Sequence, residues 1–363
     1  MGSVARILAE QLVIGVDTHL EVHVAVAVNG AGVKVADESF ATTQAGINAV
    51  RRWAKDLGTV VAWGIEGTGS YGAGLARTLI EAGIHVVEVN RPDRSLRRIR
   101  GGKTDTIDAE AAARAVLSGL ATVTPKAANG TVEALRVIRN ARSSAVKSST
   151  QALNQIHHTV LTAPPALRDD LAELTTAKLV QRCARLRPRA ASADYFVKTA
   201  LRSLARRVLA LTAEIEEYTA TLKTLVQETA PGLLAEHGVG PDCAAALLIT
   251  VGDNADRIGS EAKFAALCGT APVPANSGKT DRHRLNRGGN RQANAALHRI
   301  AVVRLKSHPE TRRYMATHCS PNGANRKHVL RCIKRALARR LYRHLVNLDT
   351  NTQTPQKPLE VAA

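Results

Sequence analysis

Between residues 12 and 40 the apolar positions come in three short bursts. LVIGVD (12–17) is a β-branched run ending in a carboxylate, EVHVAVAV (21–28) alternates with period two, and VKVADESF (33–40) follows an NGAG turn. Runs of this kind, bounded by Gly and Asn, predict three strands joined as hairpins. From Ala45 the apolar spacing lengthens to that of a helix ending near Leu57, and TVVAWGIE (59–66) then reads as a buried strand. A helix over 72–82, a strand HVVEVN (85–90) and an alanine-rich helix over 105–118 follow. Three meandering strands and then alternating helices and strands predict a mixed sheet covered by helices, an α/β domain over residues 1–120.

ATVTPKAANG (121–130) is a linker by its Thr, Pro and Gly content. Residues 131–162 and 192–230 carry leucines three and four apart beneath charged faces, so 131–230 is expected to be a helical coiled-coil region that serves oligomerisation, interrupted at APP (163–165). PGLL at 231 opens a mainly helical domain over 231–348, and residues 349–363 read as a disordered tail. The expected fold class is therefore α/β plus mainly α.

Charge sharpens this picture. The chain carries a net +19 with a pI near 10.3, a balance that attracts polyanions. The excess is local: from Ala271 to Leu348 there are 18 Lys or Arg against only Asp281 and Glu310. Arg326 to Arg343 holds eight basic residues and no acid, which points to a nucleic-acid face. The five cysteines form no CxxC pair, so neither a disulfide framework nor a zinc knuckle is expected. With no basic leader and no run of about 18 apolar residues, the expected setting is the cytoplasm.

Four carboxylates stand where chemistry is possible. Asp17 and Glu66 end predicted strands, and if those strands are neighbours both acids leave the same sheet edge. Asp105 and Asp108 lie three apart on one helix face. Capping is the plain alternative, with Asp105 as N-cap and Asp108 at N3. Converging acids repel one another unless a cation neutralises them, and hard oxygen ligands suit Mg²⁺ or Mn²⁺. Just before the helix, Arg94, Arg97, Arg98, Arg100 and Lys103 are placed to grip a phosphate backbone. EGTGSYG offers a competing reading, because Gly67, Gly69 and Gly72 have dinucleotide-fingerprint spacing with Glu88 ending the next strand. Against it, the strand is fourth in its domain, and a dehydrogenase has no use for the C-terminal charge.

In the last domain Gly238 and Gly240 precede an Ala/Leu helix, like the glycine hairpin of helix-hairpin-helix modules, whose backbone N–H groups take a phosphate. Ser277 stands in a loop bracketed by prolines and is followed by Lys279, Arg282, Arg284, Arg287 and Arg291. Arg331, Lys334 and Arg335 on the last helix extend the expected nucleic-acid contacts. A serine in such a loop is ordinarily a turn residue.

Taken together, GVDTH, IEGTGSYG, NRPDRSLRRIRGGKTDTIDAEAAARA and SGKTDRHRLNRGGNRQANAALHRIA resemble the DEDD transposases of bacterial insertion sequences. These are bridge-RNA-guided serine recombinases related to pilin-gene DNA invertases. The resemblance runs from residue 12 to about 305, in order. It implies an RuvC/RNase H-like N-terminal domain, a coiled-coil middle and a C-terminal transposase domain. It implies further that Asp17, Glu66, Asp105 and Asp108 bind metal and that Ser277 is the nucleophile. The partners it implies are donor and target double-stranded DNA, a structured guide RNA, and further copies of the chain sharing composite active sites in a bacterial nucleoid. Two other readings of the same residues stay open: a metal-dependent nuclease in which water attacks, and a non-catalytic nucleic-acid-binding protein.

Overall fold

The computed structural model describes residues 7–90, 104–190, 192–278 and 283–346. The expected contacts Arg94, Arg97, Arg98, Arg100, Lys103, Lys279 and Arg282, and the tail 349–363, lie outside the described residues. The chain divides into two compact units, one of residues 1–130 with 251–259, the other of 131–250 with the chain from 260 onward.

The first unit is built on β1 (Leu12–Thr18), β2 (Val22–Asn29), β3 (Lys34–Ala41), β4 (Val60–Glu66) and β5 (Val86–Val89), in sheet order β3-β2-β1-β4-β5. The three N-terminal strands pair antiparallel, whereas β1–β4 and β4–β5 are parallel, each reached through a helix. Those helices, α1 (Gln44–Leu57) and α2 (Ala73–Glu81), cover one face, where Ile14, Val16, Trp63 and Ile65 meet Ile47, Val50, Leu75 and Leu79. Helix α3 (Asp105–Leu117) covers the other, setting Ala109, Ala112, Ala113 and Val116 on Val13, Val26, Ala62 and Val87.

Glycine makes the second face unusually close. A Cβ on Gly15 would stand 1.9 Å from the Ala109 carbonyl oxygen, and one on Gly64 would stand 2.8 Å from that of Ala112. Only bare backbone on β1 and β4 lets α3 lie so near the sheet. The cap falls one residue before Asp105: Thr104 is the N-cap, its hydroxyl accepting from the Ile107 N–H at 3.2 Å, and Asp105 and Asp108 lie in the first turn of the helix.

Residues 251–259 close onto the linker of the same unit. The Asn254 amide donates to the Pro125 carbonyl (2.9 Å) and accepts from the Ala127 N–H (3.1 Å).

The second unit is mostly helical. Its two long helices, α4 (Thr131–Leu161) and α7 (Tyr195–Thr229), pack along each other in opposite directions: Arg142 donates to Thr219, while Ile156 shares a cluster with Leu201 and Ala205. Between them lie α5 (Pro165–Leu171) and α6 (Thr176–Ala184), two short helices where the sequence predicts only a break. Pro164 and Pro165 do not end structure there; they start α5, since the first helical position needs no N–H. The remainder comprises α8 (Pro231–Ala235), α9 (Pro241–Val251), α10 (Glu261–Leu267), a hairpin of β6 (Val273–Pro274) and β7 (His283–Arg284), α11 (Arg291–Ser307), α12 (Pro309–His318) and α13 (Arg326–Val346). Among the described residues no helix is long and apolar enough to cross a membrane.

Candidate active site

The acids of the first unit gather where β1, β4 and α3 end together. Val16 pairs with Ile65 in the parallel β1–β4 ladder, so Asp17 and Glu66 are the next residues at the same ends of neighbouring strands. Alternation puts Asp17 on the face of Val13 and Gly15, and Glu66 on the face of Gly64, which is the face α3 covers. The first turn of α3 brings Asp105 and Asp108 to that same edge.

Asp17 is 6% exposed and Asp108 3%, whereas the Asp105 side chain is about half exposed at 48%. One residue joins them that sequence reasoning did not single out. His19 Nε2 lies 3.2 Å from Asp17 Oδ2 and 3.3 Å from Asp105 Oδ1. Ligand atoms of Asp17, His19 and Asp105 all lie within 4.8 Å of one another. Glu66 and Asp108 are outside that tightest group, although Asp108 is near enough to act on Asp17 electrostatically.

Burial pushes the Asp17 carboxyl above its ordinary range; His19 pulls it down, and the charges of Asp108 and Asp105 push it up again. Asp17 Oδ2 and His19 Nε2 are closed to solvent and face each other at 3.2 Å. A buried carboxylate crowded by the charges of Asp105 and Asp108 fits a divalent cation, and the carboxylates among these donors are the hard oxygen such ions take. Glu66 is held by its backbone as well, its carbonyl accepting from the Thr18 hydroxyl at 2.8 Å.

The glycines after Glu66 form the turn that leads into α2. Gly67 adopts φ +71°, and its carbonyl accepts from the N–H groups of Ser70 and Gly72 before α2 begins.

In the second unit Ser277 is exposed in the loop that follows β6. Strand β7 and residues 269–272 ahead of β6 form one wall of a cavity of about 470 Å³ whose other wall is α13, with Thr270, His283, Arg284, His328, Arg331 and Arg335 on its lining. Arg284, Arg287, Arg291 and Arg331 are exposed, as a phosphate contact requires. Lys334 and Arg335 are only partly exposed and are engaged inside the protein: Lys334 donates to the Asn294 side chain, and Arg335 pairs with Glu261.

Gly238 has φ +84° and packs on Arg304, while Gly240 is open around its Cα. In the first turn of α9, which follows them, Asp242 already faces Arg139, Arg142 and Arg299.

Residues 14–165, which contain all four acids, match the family model of the DEDD transposase domain of IS110-type elements. Residues 232–316, which contain Ser277, match the model described as transposase, IS116/IS110/IS902 family. An acidic cluster at a sheet edge, followed by a helical unit with a basic face, together with these two matches in this order, defines a DEDD-type transposase. The matches cover about two thirds of the chain, and it belongs to the IS110 family of transposases. The family thus binds and acts on DNA, typically with a divalent metal. No curated protein matches the chain in sequence.

Proposed function

We propose that this transposase is a Mg²⁺- or Mn²⁺-dependent serine recombinase that moves its own element, guided by a structured RNA. The observation that carries the metal part is the meeting of Asp17, His19 and Asp105, whose ligand atoms lie within 4.8 Å of one another. The sheet order, with three antiparallel strands followed by two parallel ones, supports an RuvC/RNase H-like reading of the first unit. Within it Asp17, Glu66, Asp105 and Asp108 would hold the ion. When bound, such an ion supplies Lewis-acid charge against the phosphate oxygens.

The chain's own residues divide the remaining work. Ser277 attacks a DNA phosphate and displaces a deoxyribose oxygen, leaving a phosphoserine link that keeps the bond energy for rejoining. Exposed Arg284, Arg287 and Arg291, which follow it in the chain, would position the phosphate backbone and offset its charge. Ser277 and the acids belong to separate units of the fold. They work together within one chain or, as composite sites, between protomers of an oligomer in which α4 and α7 form the coiled-coil contact. RNA guidance accords with large basic faces and with aromatics at only 3% of the chain, too few for extensive stacking on bases.

The test is a denaturing gel after reaction of the full chain with labelled donor DNA and guide RNA. Wild type should give a covalent protein–DNA band, lost in Ser277→Ala and in Asp17→Ala. Full strand cleavage by Ser277→Ala would instead establish attack by water. Unchanged activity in Asp17→Ala would remove the metal from the reaction.

A further inference from the structure

Four acids suffice for the metal chemistry of a DEDD site, yet a histidine points into this one. We propose that His19 Nε2 is a direct ligand of the ion held by Asp17 and Asp105, and that it biases the site toward Mn²⁺ over Mg²⁺. This rests on the metal reading above.

Position is the first support. His19 follows the last residue of β1, and its N–H donates to the Val22 carbonyl at 3.1 Å, which fixes its backbone in the tight turn into β2. The side chain is thus delivered from a strand end, two residues beyond Asp17, with its ring partly exposed and its Nε2 turned inward, closed to solvent.

Spacing is the second. Two ligand atoms each about 2.1–2.2 Å from one ion, and at right angles around it, stand about 3.0 Å apart. The Nε2 separations of 3.2 Å and 3.3 Å from two carboxylate oxygens are those of neighbouring ligands before an ion draws them in.

The third support is that one ring nitrogen faces two carboxylates at once, 3.2 Å from Asp17 Oδ2 and 3.3 Å from Asp105 Oδ1. A single N–H cannot serve both oxygens well, whereas one cation among the three groups is shared by all of them. Imidazole nitrogen favours transition ions, whereas Mg²⁺ keeps to oxygen and gives up water reluctantly.

The experiment uses the full-length protein and Mn²⁺ itself as the probe. Pulsed EPR of bound Mn²⁺ should show one strongly coupled imidazole nitrogen, absent in His19→Ala and in His19→Gln. Titration of the free Mn²⁺ signal should show affinity falling about tenfold in both variants, with Mg²⁺ affinity, measured by competition, changed less than twofold. Circular dichroism melts of the metal-free proteins should agree within a few degrees. Mn²⁺ that binds wild type and is lost in Asp17→Asn, but shows no nitrogen coupling, would overturn the histidine's role and leave the metal reading standing. If wild type binds no Mn²⁺, both fall.

Discussion

Replacing Gly15 with Ala tests how the fold assembles the acidic cluster. The added methyl would stand 1.9 Å from the Ala109 carbonyl oxygen, 2.5 Å from the Ala113 nitrogen and 2.9 Å from the Ala113 Cβ. The first two are backbone atoms of α3 and cannot rotate away. A carbon–oxygen contact needs about 3.2 Å, so the helix must withdraw or tilt by roughly 1.3 Å. That helix carries Asp105 and Asp108, while Gly15 lies two residues from Asp17 on β1. The displacement therefore opens the cluster as well as straining the core. Overpacking of this kind costs about 3 kcal/mol, which for a unit of this size lowers Tm by about 10 °C. An ångström of misplacement at a reacting centre costs about a hundredfold in rate, and Mn²⁺ affinity should fall at least tenfold. Gly69→Ala is the control, since nothing lies within 4 Å of its added methyl. Thermal melts and Mn²⁺ titration of both variants decide the matter. A Gly15→Ala protein that melts and binds Mn²⁺ like the Gly69→Ala control would refute the claim that this close approach sets the site.

Two further perturbations probe the second unit, beside the tests of Ser277 and His19 given above. Burial alone would raise the Glu236 carboxyl, but hydrogen bonds from His344 and Arg340, and the charge of Arg340, hold it at about 2 against an ordinary 4.5. A depressed carboxylate contributes stability that is complete above about pH 4.5 and is lost as pH falls toward 2, about 3 kcal/mol in all. Glu236→Gln should flatten that acid limb in pH-dependent melts and, by removing the charge that faces Arg340 at 9% exposure, cost about 3 kcal/mol at pH 7. Asp242 forms ion pairs with Arg139, Arg142 and Arg299 at 3.0, 3.6 and 2.8 Å, so Asp242→Ala leaves three guanidinium groups without the carboxylate they share. Its Tm deficit should shrink when NaCl is raised from about 0.05 M to about 0.5 M, because salt screens the repulsion; a salt-independent deficit would point to lost packing instead.

The sheet was legible because its strands announce themselves. β-branched runs ending in Asp17 and Glu66, and turns marked by Asn29–Gly30 and Gly58, leave few alternatives to the five strands observed. The short helices α5 and α6 were not legible: a proline pair reads as an ending, and only packing against α4 and α7 shows it to be a beginning. At the head of α3 the residues Thr104 and Asp105 are both good caps, and periodicity cannot choose between them. The structure selects Thr104, which puts both aspartates inside the first turn of the helix.

Charge misleads in a different way. Helix α13 contains no acid, so every cation on it looks available to DNA. Yet the partner of Arg335 and Arg339 is Glu261, more than seventy residues upstream on α10, and Lys334 is held by Asn294 on α11. A face is basic toward solvent only after the fold has claimed its share, and on α13 that leaves Arg326, Lys327, Arg331 and Arg343 exposed, with Arg284, Arg287 and Arg291 exposed elsewhere in the unit. His19 is the converse case. It sits in the quoted GVDTH stretch, but no spacing rule marks a histidine in a turn as a ligand. Its meaning comes from α3, whose first residue arrives from nearly ninety positions away to place a second carboxylate on the same nitrogen. Sequence locates the groups that can do chemistry; the close approach of α3 to bare glycine backbone decides which of them do it together.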